Sequence, residues 1–483
     1  MSTVFQAPSG SPLRTVLGYA AMLFGAALLF LWIRGAGGSL VAPAPAGPVQ
    51  FGSGGASVQG SEPLLHLLLA LAVILVTSRA LGSLFKLFHQ PPVIGEVVAG
   101  ILLGPSLLGL VAPGLSQVLL PAAIAPSLGL LAQIGVILFM FLVGLELDTA
   151  TLRHGSHATV AVSHASIVVP FLLGSAMALF LYPRLSTSDV PFPVFALFMG
   201  ISISVTAFPV LARILTDQGM QKTPLGVVAL TCASIDDVTA WCLLAFVVGV
   251  VESEANGAAL TVILTAAYVA FVLLALRPLL ARLVRSVERA GAVSQGVVAT
   301  LVVGLLLSAL VTEAIGIHAL FGAFLFGAVI PHDSLVAREM ARRLRDLVVI
   351  LLLPAFFAFT GLRTQIGLVR GWEQWAICGL IILVACLGKF GGTLAAARFT
   401  GLSWREGSAL GILMNTRGLM ELIVLNIGLD LKVLSPTLFA MLVIMAVVTT
   451  LMTTPILHLL LGRGGRGERG SGRPEDGHET AVA

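Results

Sequence analysis

Asp236 and Asp237 stand side by side in the stretch 225–251, which carries no other charged residue. Read as a bilayer-crossing helix, that stretch has its centre near Val238, so both carboxylates lie at the midplane. A charged side chain at that depth costs roughly 2.5–3.5 kcal/mol on insertion scales. Like charges on adjacent residues raise the cost further, unless one is protonated or a cation lies beside them. The chemistry that suits such a pair is holding a proton and a cation by turns.

Four more charged residues bear on this chemistry. Lys389 lies three residues past Cys386, the centre of its own apolar stretch. An ammonium there needs an anionic partner, and the acid pair sits at a similar depth. Arg417 and Glu421 are spaced i, i+4 and can pair along one helix face, as a structural or gating pair or in direct ion handling. Glu96 follows Pro91 and Pro92 near the inner end of its stretch; it lines a cytoplasmic funnel or reaches the interface.

Two stretches place polar side chains beside helix breakers. One holds Ser202, Ser204 and Thr206 ahead of Pro209; the other runs Asn415, Thr416, Arg417, Gly418. Both predict helices broken in mid-membrane, where unwound backbone is tolerated only if it lines a cavity or is buried in protein. Half-helix ends there offer carbonyls to cations and amides to anions.

The elements that must position these groups follow from composition. The chain has 483 residues, 57% of them hydrophobic and only 10% charged, with a mean hydropathy of +1.03. That excludes a set of soluble domains and predicts an all-α polytopic membrane protein. Apolar stretches at 64–85, 93–108, 128–147, 158–182, 194–215 and 225–251 form a first set of six spans. A linking span follows at 260–276. The second six lie at 294–311, 316–330, 347–360, 375–397, 408–429 and 436–461. One further span, 15–33, precedes them and reads as an anchor. With the N-terminus inside, basic residues on the inner side outnumber those outside twenty to five, as the positive-inside rule requires. Six, one and six spans turn the second half upside down relative to the first, the parity of an inverted repeat. Each half carries its break in its fifth span.

Three regions result. Residues 1–62 are an anchor helix and a Gly/Pro-rich external linker, 63–462 the transmembrane domain, and 463–483 a disordered tail on the cytoplasmic side. The charged run 338–346 reads as a surface helix. Cys232, Cys242, Cys378 and Cys386 lie in apolar runs without metal-ligand spacing and read as buried small hydrophobes. No dinucleotide or P-loop pattern occurs, so neither a cofactor nor ATP drive is expected, and the slight positive charge belongs to loops rather than to nucleic-acid binding.

Longer motifs carry a resemblance. The run from Gln90 to Gly109 (QPPVIGEVVAGILLGPSLLG) resembles a core helix of the monovalent cation:proton antiporter-2 family. So do Ser204 to Leu215 (SVTAFPVLARIL), Ala233 to Trp241 (ASIDDVTAW) and Met414 to Leu422 (MNTRGLMEL), and the match spans about 64–461. The resemblance implies a 13-helix inverted-repeat core with crossed broken helices, joined as a homodimer in the cell membrane. It implies exchange of Na⁺ or K⁺ for H⁺, with Asp237 as the main cation and proton ligand. Asp236 would be its neighbour paired with Lys389, and Thr206 would lie at the crossover. The double acid resembles the sodium-type branch, whose members exchange electrogenically, and the flanking motifs the potassium-type one. Two other functions start from the same residues. An intramembrane aspartyl protease also needs two embedded Asp, but facing each other across water, whereas i and i+1 project about 100° apart on one helix. A cation channel would conduct without coupling.

Overall fold

The computed structural model describes residues 12–43, 63–146, 157–221, 223–252 and 258–461. The tail at 463–483, most of the external linker and the loop beyond Glu252 lie outside the described residues. Among the described residues the chain is helical throughout. In order, the helices are α1 (Pro12–Gly37), α2 (Pro63–Leu87), α3 (Pro92–Leu103), α4 (Leu108–Val111), α5 (Pro113–Leu119), α6 (Ala125–Glu146), α7 (His157–Leu185), α8 (Phe192–Ser204), α9 (Phe208–Asp217) and α10 (Pro224–Glu252). Then come α11 (Ala258–Phe271), α12 (Arg277–Ala290), α13 (Gln295–Ile315), α14 (Ala319–Ala328), α15 (Leu335–Leu347), α16 (Leu353–Arg363), α17 (Gly371–Phe399), α18 (Trp404–Met414), α19 (Leu419–Asp430) and α20 (Pro436–Leu461).

Local chemistry sets many of these ends. Pro92, Pro224 and Pro436 open helices, where a missing amide costs nothing. Ser403 and Glu406 form a capping box at the start of α18. Gly291 and Gly316 close α12 and α13 in the left-handed conformation, at φ 71° and 88°.

Among the described residues twelve helical stretches, several of them joining consecutive helices such as α8 with α9, are long and apolar enough to cross a membrane, or thirteen if a bent pair counts as one span. The span expected at 316–330 is shorter: α14 has ten residues, about 15 Å of helix against a hydrocarbon core of about 30 Å. A left-handed turn at Gly316 and His318 and a stop at Pro331 confine it. The charged run 338–346 lies in α15, which buries Val336, Ala337 and Met340 and exposes its arginines. It continues through a π-helical turn, Val348–Leu352, into α16. The expected linking span likewise extends, through Val272–Leu276, into the basic α12. Cys242 corrects the cysteine reading: it is exposed on the apolar surface, while Cys232 and Cys378 are buried.

Two bundles organise the molecule. A scaffold joins α2, α3, α6, α13, α14 and α16; a core joins α7, α8, α10, α17, α18 and α20. The added helix α1 packs on α7 and α8 of the core, with Ile33 buried and Phe24 and Trp32 facing outward. Both expected breaks are present. Val205–Ala207 is extended between α8 and α9, and α18 meets α19 at 44° across residues 415–418. Both breaks lie deep in the protein: α8 and α19 are buried almost end to end.

Candidate ion-binding site

The two breaks cross in the middle of the core. The Ala207 amide donates to the Thr416 carbonyl at 3.0 Å, so unwound backbone from one half satisfies unwound backbone from the other. Gly418 permits this approach, since a Cβ there would lie 2.5 Å from Val210 Cγ2. Helix α17 reaches the crossing because Gly388 and Gly392 flank Lys389. Added Cβ atoms would come within 2.8 Å of Pro170 Cα and 2.9 Å of the Ala165 carbonyl on α7. Small residues thus bring the α17 and α7 backbones together and set Lys389 at the breaks.

Asp236 and Asp237 leave the same unbroken helix, α10, and both are buried. Their surroundings differ. Around Asp236 stand three hydroxyls and one ammonium: Ser163 Oγ at 2.6 Å from Oδ1, and Ser166 Oγ at 2.8 Å, Thr206 Oγ1 at 2.9 Å and Lys389 Nζ at 3.2 Å from Oδ2. Each hydroxyl also has a backbone carbonyl in reach, of Cys232, Ser163 and Met414 respectively. Lys389 further donates to Thr206 Oγ1 at 2.6 Å. Lys389 and Asp236 are both fully buried, so the pair offsets two desolvation costs at once.

Neither carboxylate oxygen of Asp237 closes a hydrogen bond. The group lines a cavity of about 250 Å³ between core and scaffold, together with Ser234 of the core, Phe208 and Pro209 of α9, Glu146 and Phe324 of the scaffold, and Arg345 of α15. Glu146 and Arg345 form an ion pair across that cavity wall. The N-terminus of α9 begins at Phe208 beside it, a place where a half-helix dipole favours negative charge. The Phe208 amide faces Asp237 from that helix end, but no side chain bonds it; a buried carboxylate that faces a cavity without a side-chain donor is able to take a proton or a cation.

The other expected residues take supporting places. Arg417 and Glu421 pair at 2.7 Å, both fully buried. Arg417 lies in the break, however, ahead of the first turn of α19, rather than on its face. From there its guanidinium donates to the carbonyls of Ser202 at 3.1 Å and Ile203 at 2.6 Å. Those are orphan carbonyls at the C-terminal end of α8, so one arginine caps the broken helix of the opposite half. Thr450 Oγ1 on α20 holds the Arg417 backbone at both amide and carbonyl, at 3.0 and 2.9 Å. Thr416 Oγ1 turns back to the Leu413 carbonyl, Ser204 Oγ to the Ile201 carbonyl, and Asn415 Nδ2 to Cys386 Sγ. None of these three side chains bonds the acid pair. Glu96 is half-buried on α3 near Arg79 and is not among the residues lining the Asp237 cavity. Ser163 and Ser166 escape sequence reasoning: serines on an apolar helix carry no sign in the sequence of what they face.

Comparison with known proteins gives the family. A family model described as sodium/hydrogen exchanger, transmembrane, matches residues 67–461, and the chain belongs to that family. The Na(+)/H(+) antiporter NhaS4 of Synechocystis sp. is 45% identical over 399 residues, covering 82% of this chain and 97% of that one. Cation/H(+) antiporter 20 of Arabidopsis thaliana is 40% identical over 413 residues, 82% of this chain and 49% of its own. K(+)/H(+) antiporter 1 of Saccharomyces cerevisiae is 33% identical over 411 residues, 83% of this chain and 47% of its own. The chain thus spans about half the length of the plant and yeast relatives. The solved structure of the sodium proton antiporter MjNhaP1 from Methanocaldococcus jannaschii shares the fold, with a TM-score of 0.53 at 14% identity over 81% of this chain and 96% of that one. The family is one of transporters, not enzymes, and the protease reading falls.

Proposed function

We propose that this integral multi-pass membrane protein is a secondary antiporter exchanging Na⁺ or K⁺ for H⁺ at Asp237 by alternating access. The observation that carries the reading is the contrast between neighbours: Asp236 is enclosed by side-chain donors, while Asp237 has no side-chain partner and faces a cavity. A carboxylate that holds either a proton or a cation, but not both, couples the two flows once the core presents it to each side in turn. The relatives named for Na⁺/H⁺ and K⁺/H⁺ exchange support both ions equally. The test is proton movement in everted vesicles on adding Na⁺ or K⁺. Coupled proton movement supports exchange, uncoupled current supports a channel, and no response to either ion overturns the proposal.

Charge bookkeeping follows from the same geometry. The double acid favours, on resemblance, a cycle in which both acids take protons and net charge moves. The donor set around Asp236 supports the other cycle: Asp236 stays with Lys389, Asp237 alone exchanges, and one cation replaces one proton. In keeping with the basic-residue bias, the Asp237 cavity opens to the cytoplasm and the chain's C-terminus lies on that side. The scaffold is the stationary body and the surface through which a homodimer forms, in a surround of membrane lipid. Residues 63–462 constitute the exchanger, 1–62 its anchor and linker, and 463–483 its tail.

A further inference from the structure

A second cavity, of about 270 Å³, lies at the opposite end of the scaffold–core boundary. Helix α6 fixes the order: Gly129 to Ile137 line this cavity, and Phe139 to Glu146 line the one that holds Asp237. The core contributes the second half of a broken helix to each, α9 to the Asp237 cavity and α19 to the other. The two cavities are therefore the two mouths of the boundary that alternating access must open in turn.

Polar ties to the scaffold mark the α19 side. Arg363, at the end of α16, is buried and donates to Asn426 Oδ1 at 3.2 Å and Asp430 Oδ1 at 2.6 Å, both on α19. Asn426 Nδ2 returns to Thr360 Oγ1 of α16 at 2.8 Å. Thr360 and Asn426 are themselves buried. In α9 the ion pair is internal, Arg213 with Asp217 at 3.0 Å, both well exposed. Asp430 is 50% exposed, so the buried part of the tie is Arg363 with Asn426 and Thr360; buried polar bonds across a boundary that must slide are strong when made and costly when broken singly.

We propose that Arg363 is a positioning residue that latches α19 to the scaffold beside the mouth opposite Asp237 and keeps that mouth from deepening to the crossing of the breaks, which favours access from the Asp237 side. The proposal rests on the alternating-access reading above. Releasing the latch shifts the population toward the opposite opening. Apparent affinity scales with the fraction of molecules competent on a given side. The cation KM on the outer face then falls while the KM on the cytoplasmic face rises.

The experiment places a cysteine at Ile423, a buried α19 residue lining the latched cavity, and labels it with a membrane-impermeant maleimide in right-side-out and inside-out vesicles. Labelling over the background of the chain without this cysteine is expected to be slow with the latch intact. In Arg363→Gln it rises about tenfold from the outer face, with the two KM values moving in opposite directions. Asp430→Asn, which leaves Arg363 its bond to Asn426, gives a smaller rise of about threefold and decides the matter if Arg363→Gln does not fold. Unchanged labelling in a folded variant, or KM values that move together, overturns the latch. Labelling that rises from the other face keeps the latch and reverses the orientation. Native vesicles that exchange no protons for cation remove the functional reading instead, whatever the labelling shows.

Discussion

Asp236 and Asp237 are adjacent on α10, yet Asp236 Oδ2 lies 3.2 Å from the Lys389 ammonium while neither oxygen of Asp237 closes a hydrogen bond. Consecutive side chains on a helix project about 100° apart. One therefore points to the α7–α17 seam and the other to the scaffold boundary. On the proposed reading, a single helix would carry a fixed charge and an exchangeable one without any break of its own.

Removing Lys389 should be severe. Lys389→Ala leaves Asp236 buried with hydroxyls alone, and breaking one side of a buried pair costs about 3–5 kcal/mol. Asp236→Asn keeps a side chain that Ser163, Ser166 and Thr206 can still bond, so it should cost less. Thermal melting of both singles and the double in detergent checks this. The double mutant should be more stable than the sum of the two losses implies, by at least about 1 kcal/mol; simple additivity would show that the two residues do not act as a pair.

Arg417→Ala should unfold the crossing rather than merely slow exchange. It strips the caps from the C-terminal end of α8, at the carbonyls of Ser202 and Ile203, and leaves Glu421 buried without its partner. A loss of about 3–5 kcal/mol is expected, read as a fall in melting temperature. Arg417→Lys keeps the charge but not the fork, and should recover only part of it.

Transport should be indifferent to voltage if Asp236 stays with Lys389. In proteoliposomes with the potential clamped by K⁺ and valinomycin, and Na⁺ as substrate, exchange rate is measured against voltage. A cycle that moved one net charge would be biased by about 2.3 kcal/mol per 100 mV. A flat profile is expected; a steep one would show that Asp236 also releases its partner and takes a proton.

Much of this architecture is written in the chain because lipid simplifies the code. Apolar stretches mark spans, and Pro209 and Gly418 mark the breaks. A charge such as Asp237 or Lys389 inside a span announces itself through its insertion cost. What stays hidden depends on which faces meet. Ser163 and Ser166 look like ordinary small helix residues until α7 is set against α10. The spacing of Arg417 and Glu421 is read correctly as a pair, but its reach to α8 requires knowing that the two breaks cross. Hydropathy overstates the length of α14 because it continues through the Gly316 and His318 turn, where backbone conformation, not polarity, sets the helix boundary.

The most direct test of the account is cation-induced proton flux in everted vesicles carrying Asp237→Asn. Asparagine cannot take up or release a proton at this position, and removing a buried charge leaves the fold intact or firmer. The account predicts a protein that inserts and melts like the native chain and shows no proton movement on adding Na⁺ or K⁺. Native-level coupled flux in this variant would contradict the assignment of Asp237 as the exchanging group.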